Sequence, residues 1–322
     1  MVFLGNYENN SYEITKMETI ILAGGYGTRL RPITRERPKS LLPVAGKPII
    51  EYFLERYPFR KPPLISTNKE FLPVFRRWQK KIPYPVRIIA EKTMFEKQKL
   101  GTVGALNFLV KNKKIKDDLL VIAGDNIFEF NLKDFVDSFH GELLVAICDI
   151  KDKKKIKKRF GNVEIDERGK IINFIEKPSF PKTTLVSTAC YIFPQKVLEA
   201  IPEFLSRAER KKDAMGYFCS WLLKKNNFPI QSFLFKEAWF DIGSRISYLA
   251  ANRYYLKGEN YLGKNSRIIN SKVTDTIIFE EVKIENCELK SCVVDDYCRI
   301  SNLKLKNCLI GKKTIIRGSL KI

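Results

Sequence analysis

Leu22-Ala-Gly-Gly-Tyr-Gly-Thr-Arg-Leu-Arg-Pro32, followed by Pro38-Lys-Ser-Leu-Leu-Pro43, is the stretch on which the reading of this chain turns. It follows the apolar run Thr19–Leu22, so a first strand runs directly into a glycine loop. Glycines at such a turn let backbone N–H groups approach phosphate oxygens with no side chain between. Leu22, Ala23, Gly24, Gly25, Gly27 and Thr28 are therefore candidate nucleotide-binding positions. The loop lacks the third glycine of a dinucleotide fingerprint, and no Gly-Lys-Ser/Thr follows to make a Walker A motif. Two fixed cations set it apart: Arg29 inside the loop and Lys39 beyond it.

From Glu18 to about Leu256, apolar strands alternate with helical patterns. The spacing predicts strands at Thr19–Leu22, Pro63–Ser66, Val86–Ala90, Leu119–Ala123 and Leu143–Ile147, with helices around Ile49–Tyr57, Lys69–Lys80 and Val103–Lys111. Such alternation gives a Rossmann-like α/β fold, a mostly parallel sheet flanked by helices. The two-periodic runs Asn162–Ile165, Ile171–Ile175 and Leu185–Phe193 extend or flank that sheet, and helices follow near Lys196–Leu205 and Tyr217–Lys225. Residues 1–16 are polar and aperiodic, and are set aside as an extension or a start placed too far upstream.

Beyond residue 256 a different order takes over. Asn265–Glu280, Glu281–Asp296, Tyr297–Lys312 and Lys313–Ile322 align with a period of sixteen. Ile268, Ile284, Ile300 and Ile316 share one position; Asn270, Asn286 and Asn302 share another; Thr276, Cys292 and Cys308 share a third. Small and β-branched residues at fixed offsets, with no helical stripe, read as coils of a parallel β-helix, each burying its neighbour's apolar face. The expected domains are thus 17–256 and 257–322.

Of 322 residues, 58 are Lys or Arg and 36 are Asp or Glu, a net charge of +22. The densest run, Lys151 to Arg159, has no aromatic interleaved to stack bases. Single-strand binders combine charge with such platforms, so the run reads as a solvated surface and nucleic acid is not an expected partner. No apolar run approaches the length of a membrane span, and the opening residues lack the basic start of a signal peptide. A cytoplasmic location follows as the expectation. Seven cysteines without a Cys-x-x-Cys pair suggest small inward residues rather than a disulfide framework or a zinc site.

The glycine string resembles the signature of sugar-1-phosphate nucleotidylyltransferases, and the likeness runs over nearly the whole chain after Met17. Leu100-Gly-Thr-Val-Gly-Ala-Leu106 resembles the family's base-pocket segment, and Ala123-Gly-Asp-Asn-Ile-Phe128 is similar to its strand-end metal motif. Glu176-Lys-Pro178 resembles its sugar-phosphate motif, and Trp239-Phe-Asp-Ile-Gly243 with Tyr248-Leu-Ala-Ala-Asn252 its second metal motif and closing helix. Many members also carry a left-handed parallel β-helix at the carboxy terminus.

The resemblance implies that Asp125 and Asp241 hold Mg²⁺. It also implies that Arg29 and Lys39 act on the phosphates, Gly101 and Thr102 line the base pocket, and Lys177 clamps the sugar phosphate. Glu176 then reaches a sugar hydroxyl, and Gly161 lets backbone approach the sugar. Glu91 either accepts from a guanine edge or faces solvent. The expected substrates are a nucleoside triphosphate and a sugar 1-phosphate, with glucose 1-phosphate and dTTP or UTP as the leading pair. Mannose-1-phosphate guanylyl transfer is the alternative, and a non-catalytic nucleotide-sugar-binding regulator is the rival of another class. The chemistry needs no protein base: a phosphate monoester has a second pKa of about 6, which suits a chain whose single histidine is His140.

Two features depart from the family pattern. Thr188-Ala-Cys-Tyr191 has side chains where glycine is common, which would narrow the sugar pocket. The sixteen-residue coil falls short of the eighteen that three hexapeptides give, so one corner of each coil is expected to tighten. β-Helix acyltransferases usually use a histidine base, and 256–322 contains none; the β-helix is expected to mediate homo-oligomerisation or to support the catalytic domain instead.

Overall fold

The computed structural model describes residues 17–93, 97, 100–207, 214–225 and 228–319; the proposed extension 1–16 lies outside the described residues. The chain forms two compact units. Of the described residues, one comprises those up to Gly25 together with those of Leu54–Trp239, and the other comprises Tyr26–Phe53 with those from Phe240 onward.

The first unit is built on a nine-stranded sheet. Glu18–Leu22 lies between Leu64–Thr67 and Leu119–Ala123, parallel to both, and Arg87–Ala90 adds in parallel to Leu64–Thr67. These strands are near-continuous apolar runs because helices cover both faces. Leu185–Phe193 then pairs antiparallel with Leu119–Ala123, and Gly161–Ile165 and Ile171–Glu176 continue the antiparallel extension. Leu143–Asp149 pairs with Leu185–Phe193 on its other side and carries Ile230–Phe235 in parallel. The predicted strands are thus present, and the two-periodic runs extend the sheet as expected. Val103, Leu106 and Leu109, spaced three apart on the helix Thr102–Lys113, are fully buried against Ile20, Leu119 and Val121. Each such side chain contributes roughly 1.5–3 kcal/mol by burial.

One predicted helix is two. The pattern at Lys196–Leu205 resolves into Gln195–Leu198 and Ile201–Arg207. Pro202 has no N–H to donate to the carbonyl four residues back, so the helix cannot run through it. In the basic run, Asp152 caps the single turn Lys153–Ile156 through Lys154 N at 2.8 Å, and Ile156 is buried. Among the described residues no helix is long and apolar enough to cross a membrane.

In the second unit, Arg245–Tyr255 is closed at its start by a Ser244/Ser247 capping box and leads into the β-helix. Every strand pair there is parallel and offset by sixteen: Arg267↔Lys283↔Arg299↔Ile315 on one side, Tyr261↔Ile277↔Val293↔Leu309 on another. Left-handed residues recur with the same period at Asn265, Glu281, Tyr297 and Lys313; at Asn270, Asn286 and Asn302; and at Asp275, Ser291 and Asn307. Successive corners are therefore five, five and six residues apart. The shortening falls on two sides of each coil, rather than on the one corner expected from sequence. Side chains repeat along with the backbone: Asn286 Nδ2 donates to Asn302 Oδ1 at 3.0 Å, and Cys287, Cys292 and Cys298 are buried free thiols.

Candidate active site

The candidate residues divide between the two units. In the first, the parallel strands end along one rim, where open α/β sheets bind their ligands. Glu18–Leu22 runs into Ala23-Gly24-Gly25, with Ala23 N donating to Ser66 O at 2.8 Å. Asn68, just past the next strand, donates through Nδ2 to Gly24 O at 3.0 Å. Glu91 follows Arg87–Ala90 and turns inward: its side chain is buried and accepts from Ser66 Oγ at 2.7 Å. A Cβ at Gly24 would lie 2.5 Å from Glu91 Oε1, so glycine at 24 is what lets the carboxylate reach the loop. The solvent-facing alternative for Glu91 is thereby excluded.

Burial pushes the Glu91 carboxyl pKa up, and the Ser66 hydrogen bond opposes this only in part. Folding therefore favours the protonated form. That contribution is complete below the unfolded-state pKa and is lost as pH rises through the folded one. Glu91→Gln removes the buried charge, so it is expected to raise Tm at pH 8, with the gain fading as pH falls toward the ordinary carboxylate range. Thermal melts across that range check it; a gain independent of pH would mean the carboxylate carries no such penalty.

Asp125 lies two residues beyond Leu119–Ala123 and is half-buried. Gly124 packs against the end of the first strand, its N–H donating to Leu22 O at 2.9 Å. The Asp125 carboxylate accepts from Asn126 Nδ2 at 2.9 Å, and Asn126 Oδ1 in turn accepts from Trp239 Nε1 at 2.7 Å. Trp239 packs on Phe160 with ring centroids 5.3 Å apart. Asn126 and Trp239 stand inside motifs read from sequence, yet their roles as supports of Asp125 emerge only from the fold. Gly101, at φ 73° and ψ 166°, occupies a region essentially reserved for glycine and starts the helix Thr102–Lys113. No N-cap side chain covers that helix's first N–H groups.

The antiparallel ladder carries the same rim to the sugar-phosphate motif through the registers Cys190↔Ile122, Asn162↔Val186 and Glu176↔Gly161. Glu176 is nearly enclosed, and burial raises its pKa against the pull of Lys177, whose Nζ lies 3.4 Å from Oε1. Lys177 itself is exposed and has φ 47°, a strained setting typical of binding segments. A Cβ at Gly161 would lie 2.7 Å from Phe174 Cε1 and 3.2 Å from Glu176 Oε2. One at Gly216 would run into the same carboxylate, so both glycines make room for Glu176. Gly216 carried no signal in the sequence. Of the two side chains that depart from the family pattern, Ala189 takes the left-handed conformation (φ 61°), at a register shift in its strand, while Cys190 is fully buried.

In the second unit, Gly27 (φ 61°) opens the turn Thr28–Leu30, and Thr34 Oγ1 donates to Gly27 O at 2.8 Å. Lys39 opens the turn Lys39–Leu41, its Cβ 3.4 Å from the point a Gly27 Cβ would occupy. Arg29 and Asp241 flank Gly243: a Cβ there would lie 3.1 Å from both Arg29 Nη2 and Asp241 Oδ2. Gly27 and Lys39 are thus neighbours, as are Arg29 and Asp241. His140 is exposed beyond the helix Leu132–Asp137.

Among the described residues no three His, Cys, Asp or Glu side chains converge as a metal cage. Half-buried Asp125 and Asp241 still offer the hard oxygen donors that suit Mg²⁺, an ion that takes few protein ligands and fills its sphere from water and phosphate.

Residues 18–258 match the family model described as nucleotidyl transferase, and the chain belongs to that family of enzymes. It is 30% identical over 265 residues to the bifunctional protein GlmU of Methanocaldococcus jannaschii, covering 82% of this chain and 60% of that protein. It is also 28% identical over 265 residues to the low-salt glycan biosynthesis nucleotidyltransferase Agl11 of Haloferax volcanii, covering 80% of this chain and 71% of that one. A crystal structure from Bacillus anthracis, provisionally named a glucose-1-phosphate thymidylyltransferase, superposes with a TM-score of 0.63 at 29% identity. The match covers 74% of this chain and 94% of that one. The chain spans about 60% of the length of the GlmU relatives it matches.

Proposed function

We propose that the protein transfers a nucleotidyl group from a nucleoside triphosphate to a sugar 1-phosphate, with Mg²⁺ as cofactor, releasing pyrophosphate. The observation that carries this reading is the common rim at which the Gly24-Gly25 loop, Glu91 and Asp125 follow strand ends, and at which Glu176 ends one strand opposite Gly161 at the start of another. In this reading 17–256 is the transferase segment and 257–322 the β-helix, which also serves assembly of the oligomer.

Gly24 and Gly25 expose backbone N–H groups to the phosphates, and the helix start at Gly101 adds more. Lys177 clamps the sugar phosphate, while Glu176 accepts from a sugar hydroxyl. The sugar phosphate, already mostly dianionic near neutral pH, attacks the α-phosphorus in line, so positioning and charge neutralisation replace a protein base. Mg²⁺ held by Asp125 and Asp241 would neutralise charge on the reacting phosphates. Arg29 balances the departing pyrophosphate, and Lys39 holds the phosphates through transfer.

Glucose 1-phosphate with dTTP or UTP is the leading pair, supported by the provisional name of the Bacillus anthracis neighbour. Guanylyl transfer is the second reading, and Glu91 favours it. A buried carboxylate offers two acceptors and no donor, which complements the N1–H and N2–H groups of guanine; a pyrimidine of this kind presents a single N–H between two carbonyls. The test is pyrophosphate release over a grid of five nucleoside triphosphates and glucose or mannose 1-phosphate. One clear pairing identifies base and sugar together. Glu91→Gln should shift a guanine preference toward dTTP or UTP, and silence across the grid, with no Mg²⁺-dependent nucleotide binding, would refute the enzyme reading.

A further inference from the structure

The last two positions of the sixteen-residue repeat differ from coil to coil although they include buried residues. They carry Phe279-Glu280 in the first coil, Asp295-Asp296 in the second and Gly311-Lys312 in the third. Phe279, Asp295 and Asp296 are buried without like side chains stacked on them, so another segment of the chain covers this column.

That segment is the one leading to Lys39. Arg37 Nη2 donates to Asp296 Oδ2 at 2.7 Å, and its Nη1 lies 3.6 Å from Asp295 Oδ1. The same guanidinium sits over the Phe279 ring, 4.8 Å from its centroid. Gly311 abuts Pro32: a Cβ there would fall 2.8 Å from the proline Cβ. Lys312 pairs with Glu36 at 3.7 Å.

The aspartates are themselves held. Asp296 Oδ1 accepts from Glu280 N at 3.2 Å, Asp295 Oδ1 accepts from Asp296 N at 2.8 Å, and Asp295 is buried. Asp296 makes a charge-assisted hydrogen bond to the guanidinium, and Asp295 adds an ion pair at longer range; two carboxylates side by side in a buried column are costly without a cation to face.

Between Arg37 and Lys39 stands only Pro38, at φ −62° and ψ 145°. Proline fixes its own φ and restricts the residue before it. A grip on Arg37 is therefore passed to Lys39 through a stiff link.

We propose that the Phe279/Asp295/Asp296/Gly311 column of the β-helix is a positioning element for the phosphate-handling loop, setting Lys39 by clamping Arg37. The proposal rests on the role given above to Lys39. It makes the β-helix part of the transferase machinery and not an accessory to it.

The test uses the full chain. The Asp295→Asn/Asp296→Asn pair keeps shape and removes charge, Arg37→Lys keeps charge and removes the fork, and Lys304→Ala breaks a surface pair elsewhere on the β-helix as a control. Hydrogen exchange should quicken at least about tenfold over residues 33–42 in the double Asn variant, with Glu18–Leu22 unchanged. For pyrophosphate release, kcat should fall roughly 10- to 100-fold, the scale of a small misplacement of reacting groups, with KM within about threefold. Arg37→Lys should fall between, and Lys304→Ala should match wild type. Native-like exchange over 33–42, or loosened exchange with undiminished kcat, would overturn the positioning role. If the wild type releases no pyrophosphate from any substrate pair, the functional reading fails, and the exchange result still decides whether the β-helix holds the loop.

Discussion

Asp125→Ala is expected to lower Mg²⁺-dependent pyrophosphate release by about a thousandfold or more, with Tm nearly unchanged. The carboxylate stands just past a strand end, half-buried, and accepts from Asn126 Nδ2, and the substitution removes a polar group rather than core packing. What the proposed function would lose is a fixed negative charge where a divalent ion would be held against phosphate. Several kcal/mol of transition-state stabilisation reside in such an ion, and about 4 kcal/mol corresponds to three powers of ten in rate. The supports give a graded comparison. Trp239→Phe keeps the ring on Phe160 but removes the N–H that orients Asn126, and a loss of roughly 10- to 100-fold is expected, as for outer partners of metal ligands. Equal losses in Asp125→Ala and Trp239→Phe, or a collapse of Tm in Asp125→Ala, would mean that the effect is one of folding.

Arg29→Ala is expected to cost roughly 10²–10³ in kcat, the scale for removing one preorganised donor to a developing charge. Arg29 is exposed, yet it lies beside Gly243 with the Asp241 carboxylate on the same glycine. A guanidinium so placed can meet a leaving pyrophosphate without leaving Asp241 uncompensated. In the reverse direction, with pyrophosphate supplied as substrate, the variant should show a raised KM for pyrophosphate and an unaltered KM for the nucleotide sugar. Similar changes in both constants would assign Arg29 to general electrostatics instead.

The sheet was legible because each strand must be a short apolar run and each helix must cover it, and both periods stand in the chain from Thr19 to Ile147. The β-helix was legible for a stronger reason: a coil can bury its apolar face only on a copy of itself, so Ile284 and Ile300 recur at one spacing. What stayed hidden depends on pairs remote in sequence or on glycines that serve side chains. Arg37 and Asp296 are 259 residues apart, and neither period relates a loop to a solenoid edge. Gly216 opens space for Glu176, a service no local pattern announces. The inward turn of Glu91 was ambiguous because polar residues surround it, and Ser66 on the neighbouring strand, with Gly24 in the loop after the strand beyond, decides its direction. The two short sides of each coil escaped for a related reason: length fixes the sum of the three sides, while backbone dihedrals fix how it is divided.

The corner spacing of five, five and six makes the solenoid a structure that counts. Adding or removing a block of sixteen residues would move the following coils by one strand spacing, about 4.8 Å, and leave every inward column matched. A single added residue would turn the downstream side chains of that side from inside to outside, a frameshift in space and not in code. Inheritance in this segment is thus quantised: whole coils can be gained or lost freely in packing terms, provided the coil that ends in Asp295-Asp296 stays opposite Arg37.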